Sequence, residues 1–198
     1  MLNAEIKAQL DQYIKLLEGP VVLKVSAGED QDTEAFVNEI ASMSDLITLE
    51  HTELPRTPSF TVGDRITFAG VPMGHEFTSF VMALLQVAGR KPKVDDKVID
   101  QIKDLRGLYV FETYINLTCH NCPEVVQALN TMSVLNPSIT NVMIDGAKFK
   151  SEVEERDIMA VPSVYLNGEF FESGRLTVEE ILAKLGSKAD TSDLNGKE

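Results

Sequence analysis

The feature that most constrains the fold is a repeat inside the chain. Thr57-Pro58-Ser59-Phe60-Thr61-Val62-Gly63-Asp64-Arg65-Ile66-Thr67-Phe68-Ala69-Gly70 aligns without a gap on Val161 to Gly174, at an offset of 104 (162 minus 58). Met43-Ser44 aligns on Met132-Ser133 at 89 (132 minus 43), and Gly19 on Gly107 at 88 (107 minus 19). Each copy then reads as a leading helix (Ile6 to Leu17; Val98 to Leu105), a strand, a helix, a strand, a hairpin and a closing helix. Two tandem α/β units account for that order better than one larger sheet. The expected bounds are 1–92 for the first unit and 93–186 for the second. Residues 187–198 are polar without apolar periodicity and read as a flexible tail or linker. With 198 residues and 43% hydrophobic content, the chain has the material for a packed core in a compact double domain.

The two copies differ where chemistry is carried. Cys119 and Cys122 are the only cysteines in the chain and have C-x-x-C spacing. Leu108 to Leu117 reads as a strand before them, and Val125, Val126, Ala128, Leu129 and Met132 recur at helical spacing after them. The motif therefore lies where a strand gives way to a helix N-terminus. There, unpaired N–H groups and the positive end of the helix dipole favour the thiolate that must attack a disulfide. Cys119 is expected to attack and Cys122, one turn on, to resolve. Pro123 suits the first helical turn, where a missing N–H costs no hydrogen bond. Zinc would need two more ligands, and His51, His75 and His120 supply no second pair at ligand spacing. A purely structural disulfide closing so short a loop would stabilise little. The offset of 89 places Asp30 opposite Cys119 and Thr33 opposite Cys122, so the first unit is expected to keep the fold without the redox chemistry.

Val161-Pro162-Ser163 precedes Val164-Tyr165-Leu166, an Asn167-Gly168 turn and Glu169-Phe170-Phe171, a proline followed by a β-hairpin. Strand, C-x-x-C, helix, strand, proline-hairpin and helix is the order of a thioredoxin-like fold, in which a cis proline lies beside the dithiol. The sequence context predicts a cis Val161–Pro162 bond, which would turn the main chain of Val161 toward an extended substrate.

Phe77 to Ala88 is apolar nearly all round, a helix buried on several sides that is too short to cross a bilayer. It is expected to pack between the units, with Arg90-Lys91-Pro92-Lys93 beginning the connection. The net charge of −13 makes nucleic acid an unsuitable partner. Met1 to Lys7 lacks the basic start and apolar core of a signal peptide, which points to the cytoplasm, where two cysteines are more often catalytic than structural.

Together these residues resemble the N-terminal domain of the bacterial alkyl hydroperoxide reductase flavoprotein, the AhpF family. The resemblance covers the whole chain and rests on the repeat, Leu117-Thr118-Cys119-His120-Asn121-Cys122-Pro123, Asn136-Pro137, Val161-Pro162 and Gly74-His75-Glu76-Phe77-Thr78-Ser79. It implies two fused thioredoxin folds, only the second of which keeps its cysteines. It further implies an electron carrier between a C-terminal flavin and pyridine-nucleotide module and the disulfide of a peroxiredoxin, AhpC. Cys119 would then be the attacking thiol and Cys122 the resolving thiol. Val161, Pro162, Thr118 and His120 would line the substrate side. FAD and NADH are expected in the full-length protein, not here, because the chain contains no G-x-G-x-x-G.

Glu76 has two readings. At the offset of 104 it aligns with Glu180 of the capping box Thr177-x-x-Glu180, so it would be an ordinary first-turn acid, although Met73 stands where the capping threonine should be. By the resemblance it lies near the C-x-x-C across the unit boundary and exchanges a proton with the resolving thiol. The alternative for the whole chain is a general protein disulfide oxidoreductase, which would show C-x-x-C in both halves, or a non-catalytic thioredoxin-like binding module.

Overall fold

In the computed structural model, which describes residues 2–194, β1 (Val21–Ser26), β2 (Ile47–His51), β3 (Ser59–Val62) and β4 (Ile66–Ala69) come from the first half. The second half supplies β5 (Tyr109–Ile115), β6 (Ile139–Asp145), β7 (Ser163–Leu166) and β8 (Glu169–Ser173). All eight lie in one sheet, in the order β2-β1-β3-β4-β6-β5-β7-β8. Both halves expected from the repeat are present, but the preference for two tandem units over one larger sheet is corrected: the strands of both halves join in a single sheet. The seam is a parallel pairing of β4 with β6, from Ile66 opposite Asn141 to Ala69 opposite Ile144. Parallel pairing between strands so far apart in the chain leaves no local pattern, so the repeat revealed the units without revealing how they join.

Alternation along the strands puts one face into the main core. In β1, Val21, Leu23 and Val25 are buried while the residues between them are only partly covered. Their cover comes from α2 (Gln31–Ala41) and α3 (Phe77–Val87), whose Phe36 and Phe80 meet Phe60 of β3 and each other ring against ring at 5.2–5.9 Å. In the second half, α4 (Asp96–Asp104), α5 (Cys122–Leu135) and α7 (Val178–Leu194) enclose a core around Ile102, Leu129 and Ile181. The first helix, α1 (Ala4–Ile14), is N-capped by Asn3, whose side chain accepts from the Ile6 N–H. The Thr177–Glu180 capping box forms reciprocally, Thr177 N–H to Glu180 Oε2 at 2.8 Å and Glu180 N–H to Thr177 Oγ1 at 3.2 Å. Helix α7 reaches into the stretch that reads as a tail, and residues 195–198 lie outside those described.

Helices α3 and α5 close the seam on the helical side. Gln127 Nε2 donates to Ser79 Oγ at 3.2 Å, and Thr131 Oγ1 donates to Gln86 Oε1 at 3.2 Å. Arg65, in the turn between β3 and β4, donates through Nε to the Ser133 carbonyl at 2.6 Å and through Nη2 to the Val134 carbonyl at 3.2 Å. A cation from one half thereby occupies the carbonyl end of the other half's redox helix, where the dipole favours it. On the opposite face of the sheet lies the short α6 (Lys150–Glu155), and Arg56 pairs with Glu112 and Glu152 while Tyr114 donates to Glu152 at 2.7 Å.

Candidate functional site

The site forms where β5 ends and α5 begins. After Ile115 the chain turns through Asn116, whose Oδ1 accepts from the Thr118 N–H (2.9 Å) and hydroxyl (2.7 Å), an Asx turn that aims Cys119 at the helix start. Cys119 and Cys122 form a disulfide. Cys119 is partly exposed, whereas Cys122 is fully buried against the core of the first half. The Cys122 N–H donates to Cys119 Sγ at 3.2 Å, so the outer sulfur takes up one of the amides that no helical carbonyl satisfies. That contact would favour a thiolate at Cys119 once the bond is reduced.

Val161 approaches from the other side, its carbonyl oxygen 3.9 Å from Cys119 Sγ. The Val161–Pro162 bond is cis and Pro162 is buried; the equivalent Thr57–Pro58 bond in the first half is cis as well. Thr118 and His120 are both exposed at the rim. Met159, two residues before Val161 in the chain, is 93% exposed, an apolar side chain to which no sequence pattern pointed.

A 3₁₀ turn of the first half, Gly74–Glu76, lies against this loop. The His75 N–H donates to the Leu117 carbonyl at 3.1 Å, and the His75 and His120 rings meet with centroids 4.2 Å apart. Gly74 has φ +58°, and a Cβ there would sit 2.5 Å from the Leu117 oxygen, so this approach requires glycine. Glu76 is completely buried and caps nothing. Neither carboxyl oxygen has a hydrogen-bond partner of good geometry among the described residues. Burial pushes its pKa up to about 7, with the hydroxyl of Ser79 acting in the opposite direction. Glu76 precedes Ser79 by about one turn, and Cys122 and Pro123 precede Gln127 by about the same, so the Ser79–Gln127 bond sets Glu76 level with the start of α5. Glu76 does stand in the first turn, as its alignment with Glu180 implies, but it is buried there and caps no N–H, unlike Glu180.

Among the described residues, no group of three or more His, Cys, Asp or Glu side chains is arranged to hold a metal ion. No described helix is long and apolar enough to cross a membrane.

A thioredoxin-domain family model matches residues 111–186. The N-terminal domain of alkylhydroperoxide reductase AhpF from Enterococcus faecalis superposes with a TM-score of 0.84 at 28% identity, covering 93% of this chain and all of that one. The F component of alkyl hydroperoxide reductase from Staphylococcus aureus strain N315 is 53% identical over the whole of this chain. By sequence and fold, this chain matches the N-terminal domain of AhpF. A Bacillus subtilis protein named NADH dehydrogenase is 64% identical, again over the whole chain. The chain spans about 40% of the length of these curated relatives. A protein disulfide oxidoreductase from Aeropyrum pernix has the same fold, with a TM-score of 0.83 at 20% identity. This AhpF-type domain is a dithiol–disulfide oxidoreductase of thioredoxin-like fold whose one C-x-x-C disulfide lies in the second half.

Proposed function

We propose that the domain relays electrons from an NADH-reduced flavin module to the disulfide of an AhpC-type peroxiredoxin, supporting alkyl hydroperoxide reduction. The observation that carries this reading is the unequal placement of the two sulfurs: Cys119 partly exposed, with the Val161 carbonyl 3.9 Å from its sulfur, and Cys122 fully buried. In the reduced domain the Cys119 thiolate attacks one sulfur of the partner disulfide and expels the other as thiolate. Cys122 then loses its proton and attacks Cys119 Sγ, which forms the intramolecular disulfide and expels the second partner thiolate. Two electrons leave the domain, and two protons complete the partner's thiols. Val161 offers main-chain groups to an extended partner segment, with Pro162, Thr118 and His120 around it. Glu76, level with Cys122 and titrating near neutrality, is the group proposed to accept the resolving thiol's proton.

FAD and NADH do not fit the residues of this chain, since none of its strand-to-helix turns carries the glycine pattern that cradles a pyrophosphate. They belong to the remaining length of the relatives, and a flavoprotein module is the proposed donor. Residues 1–92 and 93–186 are proposed as the redox-silent and redox-active units. A dithiol that must be reset by reduction fits a cytoplasmic setting.

The test is trapping. With dithiothreitol as donor and a peroxiredoxin as acceptor, Cys122→Ser should accumulate a mixed disulfide through Cys119, visible by mass spectrometry, and Cys119→Ser should transfer nothing. Adducts formed by Cys119→Ser and not by Cys122→Ser would reverse the order of attack.

A further inference from the structure

The 3₁₀ turn Gly74–Glu76 belongs to the half without cysteines, yet it touches the redox loop at two separate points. One is a main-chain bond, His75 N–H to the Leu117 carbonyl, just before the C-x-x-C. The other is between side chains: the imidazoles of His75 and His120 at 4.2 Å, tilted by 50°. Both histidines are exposed, so core packing does not explain why these rings meet. His120 immediately follows Cys119, and an exposed ring there would sample several rotamers without a neighbour.

From this geometry we propose that His75 is a positioning residue for the dithiol: it fixes the imidazole of His120, the residue next to Cys119 in the chain, so that one half sets the thiolate chemistry of the other. An imidazole held next to a sulfur stabilises the thiolate by its N–H dipole or charge. A dithiol whose reduced form is stabilised in this way is a stronger oxidant, and more of its attacking thiol is ionised near neutral pH. Freed from His75, the His120 ring spends most of its time turned toward water, and Cys119 loses that stabilisation. The main-chain bond to Leu117 survives any side chain at 75, so substitution there isolates the ring contact from the backbone contact.

The proposal rests on Cys119 being the attacking thiol, but its test needs no peroxiredoxin. Equilibration of the intact protein with glutathione reports the dithiol–disulfide constant, and iodoacetamide alkylation of the reduced protein at pH 7 reports the Cys119 thiolate. His75→Ala should slow Cys119 alkylation by about threefold and shift the glutathione equilibrium by about threefold toward the protein disulfide, with an unchanged thermal midpoint. His120→Ala should do the same, and the double variant should be no worse than either single one, because the two residues act as a unit. His75→Phe, which keeps a ring against His120 without ionisable nitrogens, should restore most of the wild-type values. Additive losses in the double variant, a His75→Phe as impaired as His75→Ala, or a His75→Ala indistinguishable from wild type would each overturn the proposal. Failure here alongside intact peroxiredoxin reduction would leave the electron-relay reading standing, and the reverse pattern would leave the positioning role standing.

Discussion

The starts of α2 and α5 are the same piece of architecture with different atoms at its focus. In the first half Asp30 caps the helix, its Oδ2 accepting from the Thr33 N–H at 3.0 Å and the Thr33 hydroxyl at 2.7 Å. In the second half the sulfur of Cys119 accepts from the Cys122 N–H at 3.2 Å. Acceptor and donor are three residues apart in both cases, at the positions paired by the internal repeat. Burial alone would raise the pKa of Asp30, but Lys148 and the two groups of Thr33 outweigh it and hold the carboxyl below its ordinary value. The fold thus builds a place for an anion at the start of either helix. With a carboxylate there the result is a cap, and with a sulfur it is a redox couple.

The comparison breaks most sharply at Glu76, which the first half sends toward the other site. Its pKa of about 7 in the folded protein lies above the unfolded value, so the folded state binds the extra proton. The sign follows directly: the stabilisation is complete below about pH 4.5 and is lost as pH rises through about 7. Chemical denaturation of the oxidised protein should show stability falling by about 3 kcal/mol across that window, and Glu76→Gln should flatten the fall. A parallel pH profile in the two proteins would mean that Glu76 is already ionised in the fold.

Asp30 gives the next largest effect. Asp30→Ala removes a helix cap and the pairing with Lys148, and should cost about 1–2 kcal/mol at neutral pH. Since its folded pKa is depressed, that cost should begin to shrink as pH falls below about 4 and go on shrinking as pH passes through the lower folded pKa. Thiol reactivity in the other half should not change. A change in the Cys119 alkylation rate would show that the two helix starts communicate.

The smallest effect is expected at Thr177. Thr177→Ala opens the capping box of α7 for about 1 kcal/mol in thermal or urea unfolding, with no effect on either helix start. A loss of electron transfer there would contradict the separation of cap from site.

What the sequence made legible was local. The Asn167-Gly168 turn, with φ +51° and +85°, and the Thr177–Glu180 box are decided by neighbours in the chain. The dithiol's position at a helix start follows from a strand pattern giving way to a helix pattern. Of the contacts that bring the halves together, the all-round apolar pattern of Phe77 to Ala88 marked the α3 packing, while the polar contacts had no such signal. His75 and His120 are 45 residues apart (120 minus 75), and nothing in either neighbourhood marks the other as its partner. The same holds for Arg65 on the end of α5 and for Arg56 between Glu112 and Glu152. Glu76 was ambiguous for a physical reason: an acid in a first helical turn has the same sequence signature whether it faces water or a neighbouring helix.

The parallel seam between β4 and β6 limits how far the two copies are free to drift apart. If the chain were cut between them, each would keep a raw sheet edge of unpaired main-chain groups, and α5 would lose the cover of α3 over Cys122 and Val126. The copy without cysteines therefore answers to selection through its neighbour's solubility and shape as well as its own. A duplicated module that has surrendered its chemistry cannot also surrender its border, and the residues along that border should be the slowest in the first copy to change.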